Sequence, residues 1–123
     1  WYATLGFWEL FSMPGQDGSP MLIHLRRHKY QDILLVPGEA AGRQARPGLT
    51  VSFAAADDDL DAIASAARAS GAGSVEGPLT RPWNSVELVC TDPVGNVVVL
   101  TQPVDTGRSF DEVMDAVRTA QDG

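Results

Sequence analysis

The sequence predicts an α+β fold made of two βαβββ modules, and three observations lead there. Short β-rich runs separated by Pro- and Gly-containing turns dominate the chain. The order strand, helix, strand, strand, strand in residues 49–103 has a counterpart in residues 1–36 that lacks only an opening strand. A separate amphipathic segment closes the chain over residues 104–123. Between the modules, residues 37–48 carry two Pro and three Gly and read as the one internal linker. At 123 residues the whole is expected to form a single domain.

Each element has its own local signal. In Trp1–Gly6, Tyr2 and Leu5 stand three apart and Gly6 is a C-terminal stop, so this stretch reads as the tail of a helix. "FWELFSM", "MLIHLR" and "DILLV" follow as three strands, joined by "PGQDGSP" and a polar turn at "RHKYQ". "LTVSFAA" alternates with a period of two and opens the second module. Asp57 to Asp59 then offer N-caps for a helix with Leu60, Ile63, Ala64 and Ala67 on one face, ended by "SGAG". "SVEGPLT", "SVELVCT" and "NVVVLTQ" are three more strands. In the tail, Ser109 with Glu112 makes a capping box, and Phe110, Val113, Met114, Val117 and Ala120 share a face. That face has two open readings: packing on its own sheet, or packing on a second subunit.

Composition narrows the function classes. Net charge is −7, with eight Arg and one Lys and no basic stripe, so nucleic-acid binding through phosphate neutralisation is not expected. No apolar run approaches the ~20 residues needed to cross a bilayer, and no secretory leader is visible. The single Cys90 cannot form an internal disulfide or a cysteine-based metal site, and reads as a buried thiol in a cytoplasmic protein. The chain opens on Trp1 inside an element, which leads us to expect a preceding piece that supplies the first strand. An acidic field favours a neutral or cationic ligand.

Two stretches carry a family resemblance: "WYATLGF" leading into a strand, and "RPWNSVELVCTDPVGNVVVLTQP" with its D-P-x-G-N turn and upstream Trp. Over residues 1–103 the chain resembles the vicinal oxygen chelate superfamily, which includes glyoxalase I, extradiol dioxygenases, and fosfomycin- and bleomycin-resistance proteins. The resemblance implies a sheet curled into a cup by the two modules, often completed across a homodimer. It also implies, for metal-dependent members, ligands on the first and fourth strands of each module. At the corresponding positions here stand Thr50 and Val99 in the second module. In the first module the fourth strand offers Asp32, Leu34 and Val36 by alternation, Asp32 being a strand-end turn former. A divalent ion needs three or four N, O or S donors. We therefore expect no metal and no cofactor, and no metal-assisted chemistry.

Strand alternation from Val99 sends Val97 and Thr101 into the cup, with Val98 and Leu100 against the helices. The same logic gives Ser85, Glu87, Val89 and Thr91 to the cup and Val86, Leu88 and Cys90 to the core; Thr50 and Ser52 go inward, Val51 and Phe53 behind. Trp83 is a candidate for stacking on a flat ligand, or else junction packing. From a core-facing Phe7, alternation sends Trp8, Leu10 and Ser12 inward. Glu87 is the central carboxylate, able to meet a ligand amine, act as a lone base, or reach solvent. His24 faces inward or is structural, and His28 is expected to be solvated. The predicted ligand-binding set is thus Trp83, Glu87, Val89, Val99, Thr50, Ser52, Leu34, Val36, Trp8 and His24, with no catalytic residue. The reading is a metal-free, bleomycin-resistance-type protein that confers resistance by sequestering an antibiotic or other planar, partly cationic natural product in an apolar, aromatic-lined cup, without changing a bond. An enzyme on the same scaffold, metal-dependent or with Glu87 as base, is the alternative.

Overall fold

The computed structural model describes residues 1–38 and 50–122. The elements run as a 3-10 turn at Tyr2–Leu5, strands β1 (Trp8–Pro14), β2 (Pro20–Arg26), β3 (Asp32–Leu35) and β4 (Thr50–Ala54), helix α1 (Leu60–Ser70), strands β5 (Ser74–Arg81), β6 (Ser85–Thr91) and β7 (Val97–Pro103), and helix α2 (Phe110–Asp122). All seven expected strands and both helices form. The first element is a single 3-10 turn where the sequence suggests the end of a longer helix; Gly6 at φ 92° closes it as expected. Residues 39–48 of the linker, and Leu49 at the head of "LTVSFAA", lie outside the described residues.

The strands make two sheets, ordered β1-β2-β3 and β4-β7-β6-β5, and neither closes into a barrel. In the second sheet β4 runs parallel to β7 and the other pairs are antiparallel. β3 corresponds to β7 in the duplicated order, yet it has no strand partner on its outer side among the described residues.

One core sits behind both sheets. Val86, Leu88, Cys90, Val98, Leu100 and Phe53 of the second sheet meet Leu25, Ile23, Ile33 and Leu35 of the first, with Leu60, Ala64 and Ala67 of α1 over them. The residues of β6 and β7 in this core are those the sequence assigns to it by alternation. Asp59 caps α1 by accepting the Ala62 N–H at 3.0 Å. Burial pushes the Cys90 thiol up to about 11, so it is inert at neutral pH. The Tyr2, Phe7 and Phe53 rings meet edge to face, with centroids 5.8 and 5.6 Å apart.

Arg27 joins the modules. It is 1% exposed. Its Nε–H donates to Leu5 O at 3.0 Å, Nη1 donates to Gln31 Oε1 and Ala54 O, and Nη2 donates to Asp58 Oδ2. The same carboxylate lies 3.1 Å from His28 Nε2, so His28 is tied to the second module rather than merely solvated. The two stretches that carry the family resemblance also touch. Tyr2 O–H donates to Asp92 at 2.7 Å, and Asp92 accepts the Val94 and Asn96 N–H groups that shape the D-P-x-G-N turn. Gly95 supplies the turn's left-handed residue at φ 97°.

α2 is capped by the expected box, with Ser109 N–H to Glu112 Oε2 at 2.7 Å and Glu112 N–H to Ser109 Oγ at 3.3 Å. It buries no residue, and Phe110 is 77% exposed. Val113, Met114 and Val117 of its apolar face are partly buried, and none belongs to the core cluster.

Candidate functional site

The faces turned away from the core carry the candidate residues. On the second sheet, register places Glu87 beside Thr101, Val89 beside Val99, and Thr91 beside Val97, while β4 sets Thr50 next to Val97 and Ser52 next to Val99. None of Ser85, Glu87, Val89 and Val99 belongs to the hydrophobic core cluster. Val99 is nevertheless buried, at 8% exposure, whereas Thr50 and Ser52 are exposed.

A hydrogen-bonded cluster occupies the hairpin end of this face. Glu87 Oε1 accepts the Trp83 indole N–H at 2.7 Å and the Ser85 hydroxyl at 3.3 Å. Glu87 Oε2 accepts Arg81 Nε–H at 3.1 Å. Ser85 and Thr101 hydroxyls lie 2.7 Å apart. Trp83 is thus pinned at its polar edge while 45% of its surface stays exposed. Arg81 was not among the sequence-predicted residues. Its signal was present: the "RPWNS" hairpin pairs Arg81 with Ser85, which puts it on the Glu87 face.

The first sheet offers a different surface. β1 carries a bulge between Glu9 and Phe11, so Trp8 lies opposite Arg26, Phe11 opposite His24, and Met13 opposite Leu22. The extra residue at Leu10 shifts the alternation. Phe11 and Met13, not Leu10 and Ser12, therefore share the face of Trp8 and His24. Phe11 and His24 rings meet at 5.3 Å. Leu34 lies opposite His24, and Val36 follows the end of β3. Trp8, Phe11, Met13, Leu34 and Val36 are all about half exposed or more. His24 Nε2 approaches Asp32 Oδ2 to 3.1 Å without the alignment of a hydrogen bond. Asp32 is more than a turn former. Arg26 bonds both of its oxygens at 2.6 and 2.7 Å and holds the carboxyl down to about 2.

The positions that bear metal ligands in chelating relatives do not fit a metal here. Val99 and Leu34 have no donor atom, and Thr50 offers a neutral hydroxyl. Among the described residues no three His, Cys, Asp or Glu side chains gather closely enough to hold an ion.

Two cavities lie elsewhere. One of about 310 Å³ lies beside Gly6, Trp8, Arg27, His28, Asp58 and Ile63. The other, about 390 Å³, lies between β3 and β4, against Tyr2, Ile33, Leu35, Val51 and Phe53. Trp8 and Leu34 each line one of them; Trp83, Glu87, Val89 and Val99 line neither. Among the described residues no helix is long and apolar enough to cross a membrane.

A mixed α+β duplication with an open, partly apolar sheet face defines the class. The chain belongs to the Glyoxalase/Bleomycin resistance protein/Dioxygenase superfamily, whose family model matches residues 1–100. Among solved structures it is similar to TnmS3, an antibiotic binding protein from Streptomyces sp. CB03234. Identity is 28% and the TM-score 0.55, over 82% of this chain and 78% of that one. A glyoxalase/bleomycin resistance protein from the same Streptomyces is also 28% identical, at a TM-score of 0.54 over 80% and 82% of the two chains. A bleomycin resistance determinant encoded on the transposon Tn5 shares the fold at 21% identity, with a TM-score of 0.51 over 83% and 82%. No curated protein matches the chain in sequence.

Proposed function

We propose that this protein is a metal-free cytoplasmic binding protein that sequesters a planar small molecule, of the kind antibiotics provide, on the Trp83-bearing outer face of its second sheet. The observation that carries this reading is the exposed Trp83, its indole N–H fixed on Glu87. Around it, aliphatic or hydroxyl side chains stand where a chelating relative places donors. Such a face binds by burial and stacking. Antibiotic binding by the TnmS3 structure and bleomycin resistance in the relatives support the ligand class. In this reading the chain works as a homodimer. The exposed face of Trp8, Phe11, Met13 and Leu34 and the exposed Phe110 that opens the apolar stripe of α2 are two surfaces that a second copy would cover.

Titration with planar antibiotics, followed by intrinsic Trp fluorescence, tests the proposal. Quenching is expected, with Trp83→Ala weakening the bound ligand roughly tenfold, about the size of one aromatic pair. If no ligand quenches and Trp83→Ala changes nothing, stacking is wrong. Near-stoichiometric Zn, Mn, Fe or Ni in protein purified without chelator would favour the enzyme instead.

A further inference from the structure

Glu87 is spoken for. Its two oxygens take Trp83 Nε1–H, the Ser85 hydroxyl and Arg81 Nε–H, and the Arg81 charge balances its own. A ligand ammonium would have to break these bonds to reach it. Arg81 is the opposite case. Only its Nε is engaged, both terminal nitrogens lack a protein partner among the described residues, and its side chain is 32% exposed. Its Cζ lies 5.8 Å from the Trp83 ring centroid. One carboxylate therefore fixes an aromatic face and a fork of free donors side by side.

We propose that Arg81 is the polar recognition group of this face, and that the planar molecule it takes carries an oxygen acceptor on its rim: a carbonyl, phenolate or carboxylate. Glu87 is a positioning residue that aims both partners. This rests on the outer face being a small-molecule platform, and it reverses the charge preference that the acidic composition suggests. A guanidinium fork matches an oxygen acceptor geometrically and repels a cation, and its local field acts at contact distance where net charge is screened.

The test is calorimetric titration of the whole chain with three flat tricyclic probes: anthracene-2-carboxylate, neutral acridone and cationic 9-aminoacridine. The two acceptor probes are expected to bind at least roughly tenfold tighter than the cation. Arg81→Met should abolish that preference, and Arg81→Lys should keep part of it for the carboxylate but not for acridone. Glu87→Gln, which still accepts the indole N–H but frees the guanidinium, should weaken all three probes and narrow the preference. If 9-aminoacridine binds best and neither Arg81 variant changes the order, the Arg81 assignment is overturned while the platform stands. If no probe binds, the platform reading falls and the assignment with it.

Discussion

Arg27 and Arg81 show how one residue type can serve structure in one place and offer chemistry in another. Arg27 sits at the seam between the modules with every nitrogen engaged, by two backbone carbonyls, an amide and a carboxylate. Arg81 sits at the hairpin end of the outer face with one nitrogen engaged and the other two without a partner among the described residues. The first has nothing left to give a ligand; the second has little to do with holding the fold. Exhausted hydrogen-bonding capacity marks the structural residue, and surplus capacity beside a fixed aromatic marks the candidate site.

The contrast can be broken in four places. The largest effect is expected from Arg27→Met, which strands Leu5 O, leaves Ala54 O to Gln31 alone and takes the buried guanidinium from the Asp58 carboxylate. It should cost about 3 kcal/mol or more, read as a lower urea midpoint at unchanged m-value. Leu88→Ala, behind Glu87 on the same strand, should cost about 3 kcal/mol by leaving a cavity, whereas Val89→Ala on the outer face should cost clearly less. If the two costs match, the division between faces is wrong.

Tyr2→Phe is expected to cost about 1.5 kcal/mol, since it removes a hydrogen bond to a charged acceptor. It also carries a pH signature. Burial opposes ionisation of Asp92, but the Tyr2 and Asn96 hydrogen bonds outweigh it and hold the carboxyl below its ordinary value. The folded form therefore gains stability that is fully present above pH ~4 and lost as pH falls through the lowered folded value. The Tyr2 phenol is pushed up by burial, then by Asp92, so its contribution is present below pH ~10 and lost as pH rises beyond. Tyr2→Phe should flatten both arms of a stability profile measured by denaturant titration. The smallest effect on stability belongs to Arg81→Met, about 1 kcal/mol, because the ion pair is only partly buried and Glu87 keeps its Trp83 and Ser85 hydrogen bonds. A cost near that of Arg27→Met would make Arg81 structural after all.

The fold was legible wherever one periodicity governed a segment. In Ser85 to Thr91 and Val97 to Pro103 the residues that join the core cluster, Leu88, Cys90, Val98 and Leu100, are those the pattern assigns to it, although Ser85 and Val99 on the other face are buried too. The D-P-x-G-N turn was legible too, although its role proves to be architectural, joining Asp92 to Tyr2 across the molecule. The site was half legible. Trp83 and Glu87 could be picked out as residue types, but their mutual bond could not. Phe11 and Met13 were missed because a bulge leaves no mark in hydrophobic alternation.

The sequence by itself determined the element order, the duplication, the core face of the second sheet and the lack of donors at Val99 and Leu34, since these follow from side-chain type and a repeating period. Tertiary structure alone decided that Arg27 closes the seam, that a bulge turns Phe11 and Met13 onto the face of Trp8, and that Glu87 is taken up by Trp83 and Arg81 instead of standing free. Those outcomes depend on which groups from distant segments meet within hydrogen-bond reach, and no local pattern encodes a meeting between strangers in the chain.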